Sequence, residues 1–203
     1  MSPSLRGALA AAAERVAPDM TAQNVASTLN AYSKLVEAAA EMPRSLRGVL
    51  AAAAERVAPD MTAQNVGNTL NAYSKLEAAA AEMSPSLRGA LAAAAERVAP
   101  DMNAQQVANT FNAYSKLVAA AAELSPSLRG ALTTAAERVA PDMNAQNVAN
   151  TLNAYSKLEE AAAEMSRPLR DAMAKASERV APNMNAQDVA NTLNAYSTKS
   201  DYS

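Results

Sequence analysis

The sequence predicts an all-α protein, a right-handed α-solenoid (α/α superhelix) of five 41-residue two-helix repeats. Three observations predict it. Leu5, Leu46, Leu87, Leu128 and Leu169 recur every 41 residues, as do Pro18, Pro59, Pro100, Pro141 and Pro182, and Tyr32, Tyr73, Tyr114, Tyr155 and Tyr196; self-similarity at a fixed period of this size marks a stacked-repeat architecture. Alanine dominates a composition that is 50% hydrophobic but only 3% aromatic, so the bulk of the chain is helix former. No segment alternates apolar and polar residues as a half-buried strand does. The repeats run 1–41, 42–82, 83–123, 124–164 and 165–203, in phase from the first residue, and make a single repeat domain, 1–203.

The first helix of the repeat begins at a capping signal, Ser2-Pro3 in the first repeat and Ser84-Pro85 in the third. There a Ser hydroxyl takes an orphan N–H and Pro occupies the first helical position. It stops before Pro18. Leu5, Leu9, Ala12 and Val16 lie within about 60° of one another around the helix, forming its apolar stripe. The second helix starts after the Pro18-Asp19-Met20 turn, with Thr21, Asn103, Asn144 or Asn185 at the N-cap. Its stripe is Val25, Leu29, Tyr32 and Val36, and the pattern runs on through the alanines to Glu41, giving a helix of roughly 20 residues. One such hairpin leaves apolar surface uncovered, so hairpins must stack, giving ten helices around a continuous core. The prolines disfavour the rival, a single long bundle. Asp171, Lys175, Ser177 and Lys199-Ser200-Asp201 make the fifth repeat a polar end cap. The first repeat has no comparable cap, so its outer face is a truncation or a self-association surface.

The chain has no His, Cys or Trp. That removes imidazole acid–base chemistry, thiol nucleophiles and the usual zinc ligands. No catalytic residue, metal site or small-molecule cofactor is expected: the recurring acids Glu14 and Asp19 suit surface pairing and helix ends, and the five glycines form no phosphate loop. No run of about 18 apolar residues spans a membrane. The Arg6-containing start, which repeats as 84–95 and 125–136, is a structural unit and not a signal peptide. Compartment stays open.

Binding is therefore sought on the face of the second helix opposite its apolar stripe. Gln23, Ser27, Asn30 and Lys34 lie there within about 60° of each other. The same face recurs as Gln64, Asn68, Asn71 and Lys75; Gln105, Asn109, Asn112 and Lys116; Gln146, Asn150, Asn153 and Lys157; and Gln187, Asn191, Asn194 and Thr198. Asn is a poor helix-interior choice, and solvent faces usually mix Glu with Lys, so this amide–amide–amide–cation ladder differs from a mere solubilising surface. Asparagines bonded from repeat to repeat would account for it without a ligand. The acids Glu14, Asp19, Glu37 and Glu41 sit elsewhere, and only Asp188 intrudes on the early turns of a second helix. A chain of net charge −2 thus presents a locally positive, amide-rich face suited to phosphates and base edges. Beside it, Asn24, Asn65, Gln106, Asn147 and Asp188 vary in hydrogen-bonding character, as a one-base-per-repeat reader requires. The tyrosines fall on the apolar stripe and belong to the core.

The segment 140–156, APDMNAQNVANTLNAYS, resembles the helical repeats of the octotricopeptide group and also looks like the Ser-Lys-Trp-Pro repeats of plant-pathogen type III effectors. The family word commonly reads Asn-Thr-Leu-Trp-Ala; here Asn30, Asn71, Asn112, Asn153 and Asn194 replace its Trp. The resemblance implies single-stranded RNA binding by stacked helix pairs and supplies no catalytic residue. The partner expected is single-stranded RNA; the alternative is a protein partner, with the chain an effector-type or engineered scaffold lacking a nucleic-acid ligand.

Overall fold

The computed structural model describes residues 2–36, 42–118, 124–158 and 165–197. All regular structure among them is helical: α1 Pro3–Val16, α2 Ala22–Val36, α3 Arg44–Val57, α4 Ala63–Tyr73, α5 Glu77–Ala81, α6 Pro85–Val98, α7 Ala104–Val118, α8 Pro126–Val139, α9 Ala145–Lys157, α10 Arg167–Val180 and α11 Ala186–Ser197. Two compact units are formed, Met1–Ala94 and Ala95–Ser203. In the first, α3 packs on α1 and α4 on α2; in the second, α9 lies between α7 and α11, and α10 packs on α8. Each is a stack of two-helix repeats, as expected for an all-α solenoid.

Local chemistry sets the boundaries. The hydroxyls of Ser2, Ser84, Ser125 and Ser166 accept from the N–H groups of Leu5, Leu87, Leu128 and Leu169 at 3.0–3.3 Å. Pro18 and its copies have no N–H and cannot continue the α-helix. The chain tightens there into a 3-10 turn, Ala17–Asp19, Ala58–Asp60, Ala99–Asp101, Ala140–Asp142 or Ala181–Asn183. Each leaves it through an extended Met, φ −63° and ψ 136° at Met20. The side chains of Met20, Met61, Met102 and Met143 plug the elbow and are buried.

Packing follows the 41-residue period. Leu46, Leu50 and Val57 on α3, and Leu128, Leu132 and Val139 on α8, are buried, as are Val66 and Leu70 on α4 and Val148 and Leu152 on α9. Burying each such side chain is worth roughly 1.5–3 kcal/mol before entropy is counted. Phe111 replaces the leucine of this position and meets the Tyr155 ring at 4.6 Å, tilted by 40°, within the range of favourable aromatic pairs. Tyr73, Tyr114 and Tyr155 are core residues as expected, whereas Tyr32 is only half-buried and Tyr196 is exposed, contrary to expectation; burial pushes the three core phenols well above their ordinary pKa.

Two polar latches repeat between neighbouring hairpins. Arg56 donates to the Met20 and Ala17 carbonyls at 2.8 and 3.4 Å, Arg138 to those of Met102 and Ala99, and Arg179 to those of Met143 and Ala140. A guanidinium thus satisfies carbonyls left open where the preceding helix ends. Ser45 donates to Glu14, Ser86 to Glu55, Ser127 to Glu96 and Ser166 to Glu137. The recurring glutamates therefore join repeat to repeat.

Three expectations need correction. In the second repeat the second helix is not one rod of 20 residues: α4 ends at Tyr73, and α5 begins only at Glu77. Leu76 leaves helical geometry at φ −94°, ψ 72°, which lets Leu76 and Ala79 turn inward and bury; this packing outweighs alanine's helix propensity. The continuations at 37–41, 119–123 and 159–164, with Glu37 and Glu41, lie outside the described residues, as do Thr198 and Lys199-Ser200-Asp201. Helix count changes accordingly, eleven among the described residues against ten expected. Nor do Asp171, Lys175 and Ser177 cap the last repeat. Asp171 and Lys175 stand at positions exposed in every repeat, and Ser177 donates to the Met173 carbonyl of its own helix. The end face of α11 instead leaves Val189, Leu193 and Tyr196 exposed.

A hydroxyl pair makes a stability prediction. Tyr155 Oη lies 2.8 Å from Thr133 Oγ1, whereas Tyr73 Oη is buried without a partner, Ala51 occupying the position equivalent to Thr133. Tyr155→Phe should lower the unfolding free energy by about 1 kcal/mol, and Tyr73→Phe should leave it unchanged or slightly higher. Urea denaturation of the two variants checks the contrast.

Candidate nucleic-acid interface

The second helices place the polar ladder by simple rotation. Val and Leu turn each helix toward its neighbours, and the opposite face carries the ladder out. Gln23, Gln64, Gln105, Gln146 and Gln187 are exposed, and so are Lys34, Lys75, Lys116 and Lys157. Between these two rows the asparagines sit deeper. Asn30, Asn71, Asn112 and Asn153 are half-buried, as are Asn68, Asn109, Asn150 and Asn191, while Ser27 and Asn194 are exposed. In the first compact unit α2 and α4 lie side by side, and in the second α7, α9 and α11 do, so each unit carries its stripes next to one another.

No side-chain hydrogen bond joins the ladder asparagines of one repeat to those of the next among the described residues. The serines that follow them, Ser33, Ser74, Ser115 and Ser156, donate to the backbone carbonyls of Asn30, Asn71, Asn112 and Asn153 at 2.9 Å. One side-chain pair lies within a stripe, Gln187 Nε2 donating to Asn191 Oδ1 at 2.9 Å.

The variable residues beside the ladder have a structural task. Asn24 Oδ1 accepts from the Thr21 N–H at 3.2 Å, and Asn65 repeats this with Thr62. Gln106, Asn147 and Asp188 accept from the N–H groups of Asn103, Asn144 and Asn185. In return the capping side chain accepts from the N–H of the same five residues. This is a reciprocal capping box. It needs a side-chain oxygen three residues into the helix and tolerates Asn, Gln or Asp equally, which explains the variation without a base code. Asn147 and Asp188 are buried in the process. Asp188, the acid that intrudes on the early turns of a second helix, is thereby spent on its own helix N-terminus, where the helix dipole favours it.

Other charges are engaged in latches and ion pairs. Glu14, Glu55, Glu96 and Glu137 hold the serine latches of the first helices. Glu82 receives Arg47 through Nε at 3.0 Å and Nη2 at 2.9 Å, with Arg44 at 3.9 Å. The Arg47 hydrogen bond, reinforced by both cations, holds its carboxyl below the usual range. Arg56, Arg138 and Arg179, which sequence reasoning passed over, serve the carbonyl latch; the recurrence of arginine at this position every 41 residues was the available signal.

The capping role is testable. Asn147→Ala should cost about 1 kcal/mol of stability by releasing the Asn144 N–H, with RNA affinity of the folded protein unchanged. A fall in affinity with stability intact would return this position to the ligand.

No helix among the described residues is long and apolar enough to cross a membrane. No curated protein matches the chain. The model of one family, described as RNA-editing substrate-binding complex 6 protein, matches residues 83–200. That is more than half of the sequence, spanning the third and fourth repeats and most of the fifth, and the chain belongs to that family.

Proposed function

We propose that the chain is a non-catalytic binding solenoid that takes single-stranded RNA along the Gln–Asn–Lys face of its second helices. The observation that carries this reading is the ladder's composition and exposure: a lysine and a glutamine exposed in each of the first four repeats, amides between them with no side-chain bond to the neighbouring repeat's ladder among the described residues, and Asp188, the acid in the early turns of the last second helix, turned into a cap. Lysines supply phosphate attraction and amides supply contacts to base edges and sugars. The family's description names a complex that binds RNA-editing substrates, which supports an RNA ligand. The likeness to octotricopeptide repeats supports the same mode, stacked helix pairs along a single strand. A strand is favoured over a duplex because its bases are open to amide contacts.

A second reading has its own support, since the family description names a complex and a component of a complex needs protein partners. A protein retained after ribonuclease treatment, and released by reversal of the ladder lysines, would favour it. The direct test of the first reading is retention of single-stranded RNA by the wild type and by the variant carrying Lys34→Glu, Lys75→Glu, Lys116→Glu and Lys157→Glu. Loss of retention with helicity intact supports an RNA ladder, and unchanged retention contradicts it.

A further inference from the structure

The large hydrophobic side chains exposed among the described residues are six: Leu5, Leu9 and Val16 on α1, and Val189, Leu193 and Tyr196 on α11, each between 40% and 64% exposed. They are not scattered. In the later repeats the equivalents of the first three, such as Leu46, Leu50 and Val57, are buried to within 4%. The equivalents of Val189 and Leu193 are buried to within 2% in all four earlier repeats. Leu5, Leu9 and Val16 therefore form the face that a repeat turns toward its predecessor. Val189, Leu193 and Tyr196 form the face that it turns toward its successor. The second helix agrees: Thr28 is half-buried and Ala31 exposed in the first repeat, while Thr69 and Ala72 are fully buried in the second.

The polar latches are divided in the same way. Arg15 is the first-repeat equivalent of Arg56, Arg138 and Arg179, and it has no hydrogen-bond partner among the described residues. The carbonyls such an arginine takes in the preceding repeat have their last-repeat equivalents at Ala181 and Met184. Ser4 corresponds to Ser45, which donates to Glu14; the last-repeat equivalent of Glu14 is the exposed Glu178. Each end thus holds half of an interface that the chain builds internally, with the same apolar residues and the same donors and acceptors.

We infer that a second copy of this chain docks head to tail, the α1 face of one copy on the α11 face of the other, in the geometry of an internal repeat-to-repeat junction. Such a contact joins two different surfaces, so each dimer still presents one free face of each kind and can add further copies. It uses none of the ladder lysines, and its success or failure is independent of RNA binding.

Sedimentation velocity of the full chain over a concentration series tests this. Wild type should grow beyond the dimer as concentration rises. Leu9→Glu, which blocks the head, and Leu193→Glu, which blocks the tail, should each stay monomeric, with far-UV circular dichroism unchanged because both sites are exposed. An equimolar mixture of the two variants should form a dimer and nothing larger, since it holds one intact head and one intact tail. Leu5→Glu and Tyr196→Glu form a second pair should either first variant lose helicity. A wild type that is monomeric at every concentration, a single-face variant that still self-associates, or a mixture that stays monomeric would each overturn the inference.

Discussion

Leu132→Ala in the fourth repeat should destabilise the protein by about 2–5 kcal/mol, while Leu9→Ala, the same change at the equivalent position of the first repeat, should cost about 1 kcal/mol or less. Both leucines sit in the same word, 125–132 and 2–9 each reading SPSLRGAL. Local propensity therefore cancels from the comparison. What differs is the neighbour. α8 is packed against α7, against the Ala99–Asp101 turn and against α10, and Leu132 is fully buried. No described residue covers the equivalent face of α1, and Leu9 is half-exposed. Truncation at Leu132 removes transfer energy and leaves a cavity among side chains held by the Arg138 and Ser127 latches, so the site cannot easily collapse. At Leu9 water fills the space. Urea denaturation monitored by circular dichroism reads the contrast; equal costs at the two positions would mean that α1 is covered, as head-to-tail association at high concentration would cover it.

Reversing Lys34, Lys75, Lys116 and Lys157 to glutamate should abolish retention of single-stranded RNA. Four contacts are lost and four repulsions introduced, on a face where Asp188 is held in its own helix cap. Stability should change by no more than a few tenths of a kcal/mol per site, since all four side chains are exposed and exposed charges contribute little to folding. A binding loss without a folding loss separates ligand contact from architecture. Lys175→Glu, an exposed charge reversal on a first helix and off the ladder face, should leave RNA binding far less affected.

Much of this was legible before the structure. The period of 41 placed every repeat, the Ser-Pro words placed the helix starts, and the Leu, Val and Tyr stripes identified the core because helical rotation alone fixes which residues share a face. Other features depended on what lies across an interface. Asn24 and its copies looked like variable readers; only the return bond to Thr21 shows that their common property is a side-chain oxygen, although the three-residue spacing from the cap was a usable sign. The break after Tyr73 was hidden by alanine's propensity, which says nothing of where Leu76 can bury. The arginine latch recurs plainly in the sequence, yet no periodicity names a backbone carbonyl as its partner. Asp171 and Lys175 suggested a capped end because their polarity is visible in sequence, whereas the uncovered apolar face of α11 is visible only in three dimensions.

The central claim is that the lysine row neutralises phosphates, and a salt titration of binding to random single-stranded RNA tests it most directly. Four lysine contacts predict a slope of log affinity against log salt of about −3, and removal of one lysine, as in Lys116→Gln, should make it shallower by about 0.7. A slope near zero, or a slope unchanged when Lys34, Lys75, Lys116 and Lys157 are all replaced by Gln, would contradict the account.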